Sequence, residues 1–387
     1  MAPHVVAEGG SAAPEGLKKN PALVVTADHN IKVEEAPIRQ PGPGEALIHV
    51  RATGICGSDI HFWKHGRIGD LVVAGDCILG HEPAGEVIQV GEGVEKLKIG
   101  DRVAVEPGVP CGKCFLCAAG RYNLCEKVKF VGVYPDHGTI QRYKVHPAEF
   151  LHKIPEKMSY GTAALLEPLC VALHALRTCP VSVGTAVAVF GAGPIGLLTM
   201  AVARASGAYP LVITDTDASR LQFAKEFEPN CTTYQVALDK TTEENAQAIR
   251  GLFKGTSSKE ELDYDVPQLV LECTGIESSI ATAGYTVRRG GTVNVLGVSA
   301  KPLINNIPFM HMSMSEVQLR FINRYNDSWP AAIRAVTGNL ISHEKLEQLI
   351  THRFPLTEAV QAMELVGGVT KRKEGEMMIK VQIVDDE

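Results

Sequence analysis

No stretch of this 387-residue sequence approaches the roughly 18 consecutive apolar residues of a membrane-spanning helix, so the chain is expected to be soluble. It also has no excess of positive charge. Its 38 Lys and Arg stand against 44 Asp and Glu, a formal net charge of -6, which removes the electrostatic basis for general binding to nucleic acid or anionic membrane. The opening residues carry neither a basic leader nor the apolar centre of a signal peptide. Rich in Ala, Gly and Pro, residues 1–20 are expected to form a flexible tail of a cytoplasmic protein. A disulfide framework is missing too, because ten cysteines in a chain this long, four of them crowded between Cys111 and Cys125, fit metal ligation in a reducing compartment. No internal repeat is visible. These absences leave small-molecule chemistry as the default.

The chain is longer than one hydrophobic core usually organises. With 45% hydrophobic residues, 21% charged residues and 37 glycines it has the material for two globular domains with ligand-binding loops. From about Ala22 to Pro107, short β-type runs such as EALIHVRATG and GEVIQVG alternate with Gly and Pro turns, which predicts a β-rich domain. Helix-forming composition follows over Ala163–Leu176. From there to about Pro308 strands alternate with helices: TAVAVF, a helix over Pro194–Ala205, LVIT, a helix over Ala218–Phe227, LVLEC and TVNVLG. That rhythm predicts parallel βαβ units. The resulting α/β reading has a β-rich first part over 1–168, a doubly wound parallel-sheet domain over 169–308, and a return to the first domain over 309–387, which ends in the β-like MMIKVQIV.

Gly191, Gly193, Pro194, Ile195 and Gly196 lie in a G-x-G-x-x-G loop directly after the run VAVF and before the helical segment. Glycines there let the backbone turn sharply and approach a pyrophosphate, whose charge the amides of the helix N-terminus stabilise. Asp215 closes the next strand, 19 residues past Gly196, where an acid is needed to accept hydrogen bonds from an adenosine ribose. Its competing use is as a cap for the following helix, a role open to Asp217 as well. NAD is therefore the expected cofactor, with Arg220 placed to stack on adenine or to reach a phosphate.

Cys111, Cys114, Cys117 and Cys125 form C-x2-C-x2-C-x7-C, a spacing that lets one short loop wrap four thiolates around an ion. The ferredoxin-type cluster run has three residues before its last cysteine and then proline, whereas seven residues and then Glu126 occur here, so zinc is expected. Four cysteines fill the coordination sphere, which makes this zinc structural. A nucleic-acid-binding ribbon is disfavoured, since only Lys113 and Arg121 are basic within the loop.

Three further segments carry metal-type residues: GICGSDIH (Gly54 to His61), GHE (Gly80 to Glu82) and LEPL (Leu166 to Leu169). Taken singly, Cys56, His81 and Glu167 each have ordinary structural uses. Together with the cysteine loop and the glycine loop, in this order, the chain resembles the zinc-containing medium-chain dehydrogenases, and within them the polyol branch of the sorbitol, xylitol and L-arabinitol type. The resemblance runs over about residues 30 to 384 and is carried by GICGSDIHFW, ILGHEPAGEV, GDRVAVEPGVPCGKC, GRYNLCE, ALLEPL, GAGPIGLL and NRYNDSWP. It implies a GroES-like β-rich catalytic domain beside a Rossmann domain, and zinc- and NAD-dependent oxidation of a secondary hydroxyl of a polyol to a ketose by a homotetramer.

By the same resemblance Cys56, His81 and Glu82 match the catalytic zinc ligands. Glu167 stands where the alcohol dehydrogenases carry a second cysteine ligand, and it is implied to bind zinc directly or through a water. Adjacent ligands at His81 and Glu82 require a bend, because neighbours in a regular strand face opposite sides. Ser58 and His61 are implied to form a proton route to solvent, Phe62, Phe130, Arg324 and Tyr325 to line the substrate end of the cleft, and Leu296, Asn323 and Arg324 to face the cofactor. Leu71 and Asn323 depart from the residues usual in the branch. A dehydrogenase for non-sugar alcohols is disfavoured by Glu167 and Arg324, and a non-catalytic NAD-binding sensor by the joint presence of the metal and proton-route residues.

Overall fold

A computed structural model of the chain describes residues 16–255, 263–299, 301–371 and 376–387. Residues 1–15, the greater part of the expected tail, lie outside the described residues. By Asn20 the chain is anchored, its buried amide bonded to Gln141 and to the backbone of Tyr143.

The β-rich part is built on a seven-stranded sheet in the order Leu151–Lys153, Arg102–Val105, Glu82–Val90, Glu45–Gly54, Lys380–Val384 and Ile350–Pro355, with Tyr143–Pro147 also paired to Glu45–Gly54. The last two strands come from the C-terminal segment, so the chain's end completes the domain that its beginning starts. Val381 and Ile383 are buried in one apolar cluster with Leu23, Ile55 and Phe62, which holds this return in place.

The second sheet has six parallel strands in the order Thr232–Gln235, Leu211–Asp215, Val187–Phe190, Leu269–Glu272, Thr292–Val295 and Gln318–Phe321. Val187–Phe190 and Leu269–Glu272 are buried along their whole length, which is why they read as continuous apolar runs instead of alternating ones. The strand order reverses between these two, and such a switch point opens a crevice at the carboxyl ends of the strands. The sheet runs past the expected boundary at 308: its sixth strand, Gln318–Phe321, belongs to the parallel domain. That strand sits on the edge and is largely exposed, so it lacks the apolar run that marks its neighbours.

The helix Leu166–Thr178 joins the two halves. It packs against the helix Pro194–Ala205 of the parallel domain and against the helix Trp329–Thr337. One apolar cluster continues through this seam, from Ala52, Ala84 and Ala104 of the first sheet to Val187 and Val189 of the second. Full burial of a Leu side chain such as Leu165, Leu166 or Leu169 contributes about 1.5–3 kcal/mol relative to exposure, so the seam is a strong apolar joint. Glu167, in the first turn of the same helix, is thereby fixed at the junction.

Candidate active site

Within 111–125 the backbone turns through left-handed glycines, Gly112 at φ 71 and Gly120 at φ 73, around the short helix Phe115–Ala118 and the turn Tyr122–Leu124. This local path brings the sulfurs of Cys111, Cys114, Cys117 and Cys125 within 4.8 Å of one another, all four as free thiols. Zinc–sulfur bonds of about 2.3 Å in a tetrahedron put neighbouring sulfurs about 3.8 Å apart. The Cys114–Cys117 and Cys111–Cys117 separations of 3.4 Å and 4.0 Å bracket that edge, so the lobe fits a structural zinc. Backbone amides of Lys113 and Cys114 hold the Cys111 thiol down to about 6, whereas burial and then the Cys114 sulfur push the Cys117 thiol up to about 12, so the four sulfurs do not lose their protons equally without a metal.

The second ligand set is assembled from distant segments. Cys56 follows the strand Glu45–Gly54 and caps the helix Gly57–His65, while His81 and Glu82 stand at the start of the strand Glu82–Val90. One sulfur, one imidazole nitrogen and one carboxylate oxygen from these residues lie within 4.8 Å of one another. Gly80, directly before the two adjacent ligands, turns the chain at φ 92, where a Cβ would lie 2.5 Å from Ile140. Buried Asp59 ties the two segments together: its carboxylate accepts from the Cys56 amide at 2.9 Å and from the Gly80 amide at 3.1 Å, and lies 3.5 Å from His81 Nδ1. Although burial opposes a charged imidazole, Asp59 and Cys56 together outweigh it and raise His81 well above its ordinary value.

Glu82 is also ion-paired with Lys380, and both side chains are almost wholly buried. Burial lowers the basicity of Lys380, but Glu82, with Cys56 and Glu167, more than restores it. Gly54 makes room for this pair, since a Cβ there would fall 2.0 Å from the Glu82 carboxylate and 2.8 Å from Lys380. Glu167, only 5% exposed, lies beside the three-ligand set but outside its mutual 4.8 Å reach. Burial pushes its carboxyl up, with the nearby charge of Glu82 adding to the effect and His81 opposing it. Cys, His and carboxylate ligands with no fourth residue inside the set are the donor chemistry of a zinc site that keeps an open position.

Around this centre, Ser58 Oγ is 3.3 Å from His81 Nε2. The Phe130 ring faces the His81 ring at 5.7 Å and carries the Arg324 guanidinium on its face at 3.6 Å. Tyr325 is buried, and the charge of Glu167, after burial itself, raises its hydroxyl well above the ordinary value. His61 is half-buried on the same helix as Ser58, and burial, followed by the charge of His65, lowers it. Phe62 departs from its expected place: at 2% exposure it is enclosed in the apolar cluster with Leu23, Val25 and Ile55 and presents almost no surface to a cleft. Helical spacing explains this, because Phe62 lies one residue past His61 and faces a different side of the helix. Leu71 is an exposed residue of the short strand Leu71–Val72.

The crevice of the parallel sheet is a cleft of about 480 Å³ lined by Gly191, Gly193, Asp215, Arg220 and Thr274 among others. Gly191, at φ 98, and Gly196, where a Cβ would meet the Gly191 carbonyl at 1.8 Å, are glycines by necessity. At Gly193 the space a Cβ would take is open apart from Arg220 Nη1 at 3.9 Å, which is the room a phosphate group needs. Arg220 Nε is buried there without a hydrogen-bond partner among the described residues. Pro194 and Ile195 open the helix, with Gly193 as its N-cap. Asp217, accepting from the Ser219 and Arg220 amides, caps the next helix. Asp215 instead accepts from the Ala192 amide of the glycine loop at 2.7 Å and from the Asp217 amide at 2.9 Å. Leu296, nearly buried, follows the strand Thr292–Val295, and the Asn323 side chain is exposed while its carbonyl accepts from Asn123. These features fit NAD.

Asp59, Gly54 and Lys380 were not singled out in the sequence. A signal for Lys380 existed: in MMIKVQIV, Lys380 and Gln382 alternate with apolar residues, yet all of Lys380, Val381, Gln382 and Ile383 are buried, so the polar face meets protein.

A family model described as alcohol dehydrogenase GroES-like domain matches residues 42–156, and one described as zinc-binding dehydrogenase matches residues 194–338. The sequence is 49% identical over 345 residues to an L-arabinitol 4-dehydrogenase of Aspergillus oryzae, covering 89% of this chain and 87% of that one. It is 40% identical over 368 residues to a sorbitol dehydrogenase of Gallus gallus, covering 95% and 98%. Among solved structures, L-idonate 5-dehydrogenase from Escherichia coli K-12 superposes with a TM-score of 0.81 at 26% identity, over 95% of this chain and 98% of that one. No helix among the described residues is long and apolar enough to cross a membrane.

Proposed function

This chain belongs to the polyol branch of the zinc-dependent medium-chain dehydrogenases and oxidises a sugar alcohol with zinc and NAD, and from that premise we propose that its preferred substrate is a pentitol of the L-arabinitol type, oxidised at a secondary hydroxyl to the ketose. Supporting this is the convergence of Cys56, His81 and Glu82 beside buried Glu167, with Arg324 and Tyr325 at the same place. The greater identity to the L-arabinitol enzyme, 49% against 40% for the sorbitol enzyme, supports the pentitol.

When bound, zinc supplies Lewis acidity to a substrate hydroxyl and NAD accepts the hydride from its carbon. Cys56, His81 and Glu82 would hold the ion, and Glu167 would complete the set directly or through a water. Ser58 and His61, three residues apart on the helix Gly57–His65, would relay the hydroxyl proton towards solvent, with burial keeping the His61 imidazole neutral. Arg324 donates hydrogen bonds to the polyol chain or to the nicotinamide ribose from a guanidinium held flat on Phe130, and Phe130 excludes water from the same wall. Gly191, Gly193, Pro194, Ile195 and Gly196 cradle the pyrophosphate while Asp215 accepts from the ribose, with Arg220 beside it. Leu296, Asn323 and Arg324 complete the nicotinamide end.

The same proposal includes a homotetramer in the cytoplasm. Its supports are ten free cysteines, which suit a reducing compartment, the exposed Phe321 on the edge strand of the parallel sheet, and the exposed Phe309, Met310 and Met314 of the helix Phe309–Met314 that precedes that strand. The test is kcat/KM on L-arabinitol, xylitol, sorbitol and 2,3-butanediol. L-Arabinitol is expected to be the best substrate, and a value for sorbitol or butanediol equal to it or higher overturns the assignment.

A further inference from the structure

The four-cysteine lobe touches more than its own domain. Asn123, 7% exposed and lying between Cys117 and Cys125, donates through Nδ2 to the carbonyl of Asn323 at 2.8 Å. Asn326 Nδ2 donates to the carbonyl of Gly120 at 2.7 Å, and the amide of Asp327 donates to Tyr122 Oη at 2.7 Å. Tyr122 in turn donates to Glu106 at 2.7 Å, and the other oxygen of that buried carboxylate is 2.8 Å from His152 Nε2, so the tyrosine oxygen is fixed from both sides. Phe130, which directly follows the lobe, is the face on which Arg324 rests.

Three of these bonds converge on residues 323–327, about two hundred positions away in the chain. That segment holds two non-glycine residues in left-handed backbone, Arg324 at φ 55 and Asp327 at φ 43. Such conformations are unfavourable for residues with a Cβ and persist where the surroundings over-determine them. Here the lobe supplies part of the surroundings: its bonds bracket Arg324 and Tyr325 at 323, 326 and 327, while Arg177 of the helix Leu166–Thr178 donates to the carbonyls of Asn326 and Asp327 at 3.3 Å and 2.6 Å. A lobe that served only to stabilise its own domain has no need of three bonds to this segment.

We propose that the cysteine lobe is a positioning element for substrate binding, in which Asn123 and Tyr122 hold residues 323–327 in the backbone that aims Arg324 and Tyr325 at the polyol. It rests on the reading that Arg324 contacts the substrate. Asn123 and Tyr122 touch no reacting atom and are positioning residues, and the enzyme's affinity for its polyol is set in part from the lobe.

The test is steady-state kinetics and hydrogen exchange on zinc-loaded Asn123→Ala, Tyr122→Phe, Arg324→Met and the Asn123→Ala/Arg324→Met double variant. Loss of one hydrogen bond to the segment is expected to raise KM for the polyol about tenfold, with kcat changed less than about twofold. The amide of Asp327 should exchange faster in Tyr122→Phe, and residues 323–328 faster in Asn123→Ala, while the parallel sheet keeps its protection. In the Arg324→Met background Asn123→Ala should raise KM little further, because it acts through Arg324. An unchanged polyol KM in Arg324→Met overturns the substrate reading and this inference with it. A raised KM in Arg324→Met with unchanged KM in both Asn123→Ala and Tyr122→Phe, or full additivity in the double variant, overturns the inference alone. Tyr122→Phe keeps the test decisive if Asn123→Ala does not fold.

Discussion

The two cysteine-containing ligand sets are built on opposite plans. The four-cysteine set is closed by one loop of the chain, and three of its four ligands are only partly buried. The second set draws Cys56, His81 and Glu82 from two separate strand ends, with Glu167 beside them on a helix, and buries His81, Glu82 and Glu167 to 6%, 1% and 5% exposure. Burying a carboxylate or an ammonium is unfavourable by several kcal/mol per ion unless partners are supplied. The second set has them: Asp59 for His81 and for the Cys56 and Gly80 amides, Lys380 for Glu82. The first set needs few such partners. A local set relies on spacing, while a distributed set relies on the fold around it, and the distributed one is where a position stays open for chemistry.

The sharpest way to separate the two sets is to empty one of them. His81→Ala is expected to lower kcat/KM for the polyol on the order of a thousandfold or more, since Lewis-acid stabilisation is worth several kcal/mol and each ~1.4 kcal/mol is tenfold. Metal analysis should show zinc falling from two ions per chain to one, and NAD should still bind by fluorescence titration, because its cleft is formed within the parallel sheet. Loss of both ions would erase the distinction. Cys111→Ser attacks the other side. It should destabilise the chain by on the order of 3 kcal/mol, read by thermal or denaturant unfolding, because a structural zinc contributes directly to folding. Unchanged stability with turnover abolished would mean that the roles of the two sets are reversed.

A smaller effect belongs to the cofactor cleft. Asp215→Ser with Thr216→Arg should move the ratio of kcat/KM for NAD over NADP towards NADP by up to about a hundredfold, the factor expected from removing one unit of repulsion of ~3 kcal/mol. Because Asp215 also bonds the Ala192 amide, the double variant should bind NAD more weakly as well. A ratio that does not move shows that Asp215 only braces the glycine loop.

Much of this was legible in the linear text. The helices Pro194–Ala205 and Ala218–Phe227 occupy the residues that their composition marks, and the strands Val187–Phe190, Leu269–Glu272 and Thr292–Val295 lie within the marked apolar runs, because a strand buried on both faces has little freedom in composition. The edge strand Gln318–Phe321 was not, since one exposed face frees its residues to be polar. Phe62 reads like a cleft residue from its neighbours in GICGSDIHFW, but a helix turns successive side chains apart, and its ring packs in the core.

By itself the sequence determined whatever depends on neighbours along the chain: the cysteine loop, where four thiols separated by two, two and seven residues can meet only around one point, and the glycine loop, whose Gly191 and Gly196 leave no room for a Cβ. Tertiary structure decided what depends on long-range contact. Only the folded chain sets Lys380 against Glu82, brings Asp59 under both ligand segments, and carries Asn123 to Asn323, because each pairing crosses an apolar interior whose packing chooses which distant polar groups come within hydrogen-bond reach.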